Sequence, residues 1–193
     1  MVEDTEGKIL EFSEKYFIQN GYSKSSLDEI AASLGISKKT IYKYFSSKEE
    51  IQIRCTENRI QRINDRIRKI IESSDDFFKK IEDVSSCMTE KENILGPGYF
   101  SDLKKHCLKA WILFEENQKT FIPHILEKVI NEGIKKKLIK AEIDKELTIS
   151  VYLILMRSLI DVSYEKNFGQ NYSPNELKKA FNQIFFLGIV RRD

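Results

Sequence analysis

"GISKKTIYKYF", Gly35 to Phe45, sets Lys38, Lys39 and Lys43 beside Tyr42 and Tyr44, and no acidic residue stands between Ile30 and Lys48. At about 100° per residue, Lys38, Tyr42, Lys39 and Lys43 share one contiguous helix face, while Ile41 and Phe45 fall elsewhere and can pack inward. Such a helix is basic outside and apolar inside. Lysine ammonium groups complement phosphates and tyrosine hydroxyls donate hydrogen bonds to phosphate oxygens. In a major groove a short side chain such as Thr40 can reach base edges or a thymine methyl. A basic run alone also describes a solvated surface helix. Here it coincides with a turn glycine and two capping signals, a combination that favours nucleic acid.

Upstream, Ile9, Phe12, Tyr16 and Phe17 recur at three- and four-residue intervals before Asn20-Gly21, which predicts a helix over 8–19. Ser26 and Glu29 form a capping box for a second helix over 27–34. Gly35 permits a sharp left-handed turn, and Ser37 caps a third helix over 38–45. Three helices in fifty residues, the last two joined by a tight turn, make a helix-turn-helix unit. Ser47 and Glu50 repeat the capping box and open a long fourth helix. Its Ile60, Ile63, Ile67 and Ile70 form an apolar stripe, with Arg59, Arg62 and Arg66 off it.

Downstream the chain stays helical. An acidic, serine-rich run follows Glu72, and "GPGYF" breaks the chain at Gly96 to Gly98. A helix is predicted over 101–117, with Pro123 in the first turn of the next and Gly133 near its end. Two strongly apolar helices close the chain, over 145–165 and 174–190. The second starts with Ser173 as cap, Pro174 first and Glu176 third. With no strand-like alternation and no internal repeat, about nine helices and an all-α fold are expected. The division expected is a helix-turn-helix domain over 1–47 and a larger helical domain over 48–193.

Composition limits the alternatives. The chain has 193 residues, 41% of them hydrophobic, enough for a real core, and a formal net charge of +2, so attraction to nucleic acid must come from local clustering. Cys55, Cys87 and Cys107 share no ligand spacing with His106 or His124, so no metal is expected. An odd cysteine count, acidic residues Glu3, Asp4 and Glu6 at the start, and an apolar run interrupted by Arg157 and Asp161 read as cytoplasmic, with no membrane insertion. A phosphate-binding glycine loop, a nucleophile elbow and an acid–base constellation are all missing, so neither an enzyme nor a cofactor is expected.

The stretch "ILEFSEKYFIQNGYSKSSLDEIAASLGISKKTIYKYFSSKEEI", Ile9 to Ile51, closely resembles the DNA-binding domain of TetR-family transcriptional regulators. The telling matches are Gly21-Tyr22, Ile30-Ala31, Gly35-Ile36-Ser37, Thr40-Ile41-Tyr42, Tyr44-Phe45 and Lys48. The resemblance implies that Tyr42 and Lys48 bind phosphates of double-stranded operator DNA, that Lys38, Lys39, Thr40, Lys43 and Tyr44 face the groove, and that Ser25 and Ser26 lie near the sugar-phosphate backbone. Phe12-Ser13 replaces a small pair, and Lys39 stands where a small residue is frequent, so base preference does not transfer.

Beyond Ile51 the resemblance is one of length and helix pattern. It implies a helical domain that dimerises through its last two long helices and encloses a ligand cavity. The apolar segment "LTISVYLILMRSLIDV" must indeed be covered on nearly all sides, either by a second copy or within one subunit. The expected function is a homodimeric repressor released from a palindromic operator by a small hydrophobic effector. The alternative is a ligand-independent architectural DNA-binding protein. Candidate cavity residues are Phe100, Leu103, Cys107, Trp111, Phe114, Phe121, Tyr152 and Met156. Arg157 either anchors an acidic ligand group or pairs with Asp161.

Overall fold

The computed structural model describes residues 5–73, 76–89, 98–162, 172 and 174–189. Among these the regular elements are nine helices and no strand: α1 Thr5–Asn20, α2 Leu27–Leu34, α3 Lys38–Tyr42, α4 Lys48–Glu72, α5 Phe77–Thr89, α6 Tyr99–His106, α7 Leu108–Lys135, α8 Lys145–Val162 and α9 Pro174–Ile189. They form two compact units, one from residues 1–62 and 95–117, the other from 63–94 and 118–193.

In the first unit Ile9, Phe17, Ile30, Ile41, Phe45 and Ile51 are buried and draw α1, α2, α3 and the start of α4 around one core. Gly35 takes φ 67° at the end of α2. Its N–H donates to the Ala32 carbonyl at 3.2 Å and that of Ile36 to the Ala31 carbonyl at 3.0 Å, closing α2 in a Schellman motif. The entry to α4 departs from the expected capping box. Ser47 Oγ accepts from the Glu50 N–H at 3.1 Å, but the Glu50 carboxylate reaches one residue further back, accepting from Ser46 N at 2.7 Å and Ser46 Oγ at 2.6 Å. Further along α4, the buried Arg59 donates to Glu14 at 2.9 Å and Arg62 to the same carboxylate at 3.0 Å, which ties α4 to α1.

The expected single helix over 101–117 is interrupted. Cys107, at φ −146° and ψ 66°, ends α6, and its carbonyl accepts from Trp111 N to begin α7. Pro123 does not open a helix; it lies inside α7. An interior proline gives up one backbone hydrogen bond and costs about 3 kcal/mol. Phe121, Ile122, Ile125, Leu126, Val129 and Ile130 around it are all buried. At about 1.5–3 kcal/mol for each such side chain, their burial outweighs the proline and keeps the helix continuous. Gly133 also lies within α7, two residues before its end. A Cβ there would stand 2.6 Å from Ile139 Cδ1 and 2.9 Å from Phe77 Cζ. Glycine is required by close approach, and the turn itself falls on Lys137 at φ 59°.

The second unit packs Ile67, Ile71, Phe77, Cys87, Ile130, Ile139 and Tyr152 into one core, against which Phe181, Phe185 and Phe186 of α9 lie half-buried. Lys80 is buried in it. Its ammonium donates to the Ile71 carbonyl at the end of α4 at 3.0 Å and to Glu132 of α7 at 3.2 Å. Among the described residues Glu132 is the one carboxylate on this buried ammonium, so Glu132→Ala should cost about 3 kcal/mol. A urea midpoint that does not fall would contradict this pairing.

On α8, Leu147, Val151, Ile154 and Leu155 are exposed, as is Ile184 of α9 at 71%. Their spacing, with Ile154 64% exposed, marks one apolar stripe turned away from the core. Ser173, expected as the α9 cap, lies outside the described residues. All three cysteines are free and buried, Cys55 and Cys107 in the first unit and Cys87 in the second.

Candidate nucleic-acid interface

Ser26 starts α2 with a complete capping box. Its Oγ accepts from Glu29 N at 3.2 Å while the Glu29 carboxylate accepts from Ser26 N and Oγ, each at 2.8 Å. Those bonds from Ser26 hold the Glu29 carboxyl below its ordinary range. Ser37 starts α3 in the same manner, accepting from Thr40 N at 3.0 Å and pairing with Thr40 Oγ1 at 2.9 Å. After Tyr42 the helix tightens: Lys43 N and Tyr44 N donate to carbonyls three residues back, so α3 ends three residues earlier than its apolar spacing predicts.

The α3 face is nonetheless as the wheel draws it. Ile41 and Phe45 are buried; Lys39, Lys43, Tyr42 at 50% and Tyr44 at 43% are exposed. Lys38 donates to Asp28 of α2 at 2.7 Å, and that hydrogen bond raises its pKa. An exposed pair of this kind is weak in water, so a phosphate can compete for the ammonium.

Lys48, Ser25 and Ser26 occupy a different position. The Lys48 ammonium donates to the carbonyls of Tyr22 and Ser25, both at 2.9 Å, and sits 4.3 Å from the Tyr22 ring centroid. Burial lowers its pKa, against the pull of the Asp102 charge. An ammonium has three protons, and these two carbonyls take two of them. Ser25 is buried, its hydroxyl donating to the Gly21 carbonyl at 2.7 Å. The Ser26 hydroxyl is engaged with Glu29. Both serines therefore shape the α1–α2 turn and the start of α2. Sequence reasoning did not single out Asp102 of α6, whose Oδ2 accepts from Ser23 N in that turn at 2.9 Å. Seventy-nine positions separate the two, and no local pattern links them.

The candidate cavity residues divide between the units. Phe100, Trp111 and Phe114 pack against one another in the first unit, Phe100 and Trp111 edge to face, with centroids 4.3–6.1 Å apart, and Leu103 and Cys107 are buried in the same unit. Phe121 belongs to the second core. The second unit holds a cavity of about 30 Å³ lined by Ile67, Ile71, Ile125, Leu126, Tyr152, Asn182 and neighbouring apolar residues. Among the described residues Tyr152 is the one candidate on its wall. Its hydroxyl donates to Asn182 Oδ1 at 3.0 Å, and burial pushes the phenol well above its usual range. Part of the signal for Asn182 was present: with Gln183 it forms the polar interruption in "AFNQIFF". The side chains of Met156 and Arg157 lie outside the described residues. Among the described residues, no cluster of His, Cys, Asp and Glu could hold a metal, and no helix is long and apolar enough to cross a membrane.

Residues 9–55 match the family model of bacterial regulatory proteins, tetR family. The HTH-type transcriptional regulator YvaF of Bacillus subtilis is 25% identical over 184 residues, 95% of this chain and 94% of that one. Two solved structures share the fold. A TetR/AcrR-family regulator from Thermobifida fusca has a TM-score of 0.69 at 18% identity, over 98% of this chain and all of its own. The FadR regulator of Bacillus subtilis, in complex with stearoyl-CoA, has 0.67 at 22% identity, over 96% and 100%. The family match falls on α1 to α3 and the first turns of α4, the elements that expose Lys39, Tyr42 and Lys43 over a buried Ile41 and Phe45, and residues 9–55 of the chain are a helix-turn-helix domain of the kind that defines the bacterial regulatory proteins of the tetR family.

Proposed function

We propose that the protein is a homodimeric repressor that binds a palindromic operator through α3 and is released by a hydrophobic effector bound in the second unit. The exposed basic and aromatic face of α3, in a stretch without acidic residues from Ile30 to Lys48, carries the DNA-binding part. Lys39, Thr40, Lys43 and Tyr44 face the groove, Tyr42 binds phosphate, and Lys48 offers its remaining proton to another. The helix-turn-helix domain takes in residues 1–47. Dimerisation is supported by the apolar stripe on α8 and α9, since a single short recognition helix reads only a few base pairs and two-fold symmetry doubles them.

The effector reading is supported by the apolar lining of the cavity, with Tyr152 and Asn182 as its polar pair, and by FadR, whose solved complex holds stearoyl-CoA. A cavity of about 30 Å³ has room for only one or two waters, so an effector must displace side chains to enter. That small volume favours a second reading, a ligand-independent architectural protein. Reciprocity separates them. A duplex selected by the protein from a randomised pool, titrated with long-chain acyl compounds, should be released, and the same duplex should weaken acyl binding by the same factor. Binding of DNA with no release by any such compound would leave the architectural reading.

A further inference from the structure

The turn Gly21–Ser25 between α1 and α2 is gripped from outside the helix-turn-helix. Asp102 Oδ2 accepts from Ser23 N, and Lys48 Nζ donates to the carbonyls on either side, those of Tyr22 and Ser25. The grip is close: a Cβ added at Gly21 would sit 3.4 Å from the same Asp102 oxygen, and Gly21 itself holds φ 85°. Tyr22 lies beneath Lys48 and is buried; burial first, then the neighbouring Cys107 thiol, push its phenol up to about 12. Asp102 is largely shielded, its side chain 16% exposed, and its other oxygen stands 3.9 Å from His106 Nε2. Backbone groups of the turn are thus held by two opposite charges arriving from α6 and α4. Every partner in this lock belongs to the first unit.

The turn sets where α2 starts, and α2 carries Asp28, which holds Lys38 of α3. A change in the turn therefore reaches the recognition face without any change in that face's own residues. We propose that Asp102 is a positioning residue for DNA binding: its hydrogen bond to the Ser23 amide fixes the α1–α2 turn in the geometry that presents α3. This rests on the reading of α3 as the DNA-binding helix.

Charge and position predict opposite signs, which makes the inference testable. Asp102 is an anion near a DNA-binding surface, so by charge alone its removal should tighten DNA binding. As a positioning residue its loss should weaken binding. Asp102→Ala should lower affinity for a duplex selected by the wild-type protein from a randomised pool by at least tenfold and shrink the ratio over a scrambled duplex. The slope of affinity against salt should stay unchanged, because no phosphate contact is lost. Asp102→Asn keeps an oxygen that accepts from Ser23 N while removing the charge, and should bind as tightly as wild type or more so. Amide exchange at Ser23 should be slow in the wild type and in Asp102→Asn, and fast in Asp102→Ala. If the alanine variant fails to fold, rapid Ser23 exchange in wild type and Asp102→Asn would by itself overturn the proposal. Equal affinities for the alanine and asparagine variants would also overturn it. A wild-type protein that selects no duplex would instead remove the DNA-binding reading beneath it.

Discussion

Replacing Lys39, Tyr42 and Lys43 together with alanine should abolish measurable preference for the selected duplex and flatten the salt dependence of what binding remains. Each lysine that neutralises a phosphate releases condensed counterions, contributing about 0.9 to the slope of log affinity against log salt. A dimer presents each lysine twice, so the loss of two lysines per chain should reduce the slope by about 3 to 4 if all four contact phosphate. The fold should survive, because the three side chains are exposed while Ile41 and Phe45 beneath them stay in place. Lys38 is omitted because removing it also strips Asp28 of its partner. Unchanged affinity in a folded triple variant, measured by fluorescence anisotropy across a salt series, would disprove the assignment of α3.

Ile154→Glu combined with Ile184→Glu should yield a folded monomer that binds the full duplex at least a hundredfold more weakly. In the single chain these side chains are 64% and 71% exposed, so a carboxylate is tolerated there as long as no second copy covers it. Buried against another chain, two uncompensated charges per protomer are prohibitive. Phe185 behaves differently. Its ring lies 5.0 Å from that of Tyr152 and 5.5 Å from that of Phe186, inside the chain's own aromatic cluster. Phe185→Glu should unfold the second unit rather than divide a dimer. Sedimentation velocity and circular dichroism together distinguish the two outcomes. A dimeric Ile154→Glu, Ile184→Glu double variant would place the interface elsewhere.

Signals that are local were legible in the chain. The span of α2, its capping box, the Gly35 turn and the Ser37 cap depend on neighbours within five residues, and the sequence carries them openly. Competition between a local preference and tertiary burial was not legible. Pro123 favours a helix start, but the apolar residues around it hold it inside α7. The second capping box slipped by one residue because Ser46 and Ser47 are identical in type, and only the fold decides which receives Glu50. On the DNA side, the exposed face of α3 followed from helical spacing. The roles of Lys48 and Asp102 in the α1–α2 turn did not, since both are made by contacts far apart in the chain. Aromatic content drew attention to Phe100, Trp111 and Phe114, whereas the cavity is walled mainly by isoleucine, leucine and valine from helices distant in sequence.

The three buried thiols give the molecule built-in reporters of its own breathing. Attack by an alkylating reagent requires a thiolate that is exposed, and burial pushes the Cys55 and Cys107 thiols above their ordinary range. Cys55, Cys107 and Cys87 are 3%, 1% and 0% exposed, so labelling must wait for an opening. Two thiols report on one compact unit and the third on the other. The labelling rate at each position, followed by peptide mass, therefore measures the free energy of opening unit by unit under native conditions, without denaturant and without an introduced label.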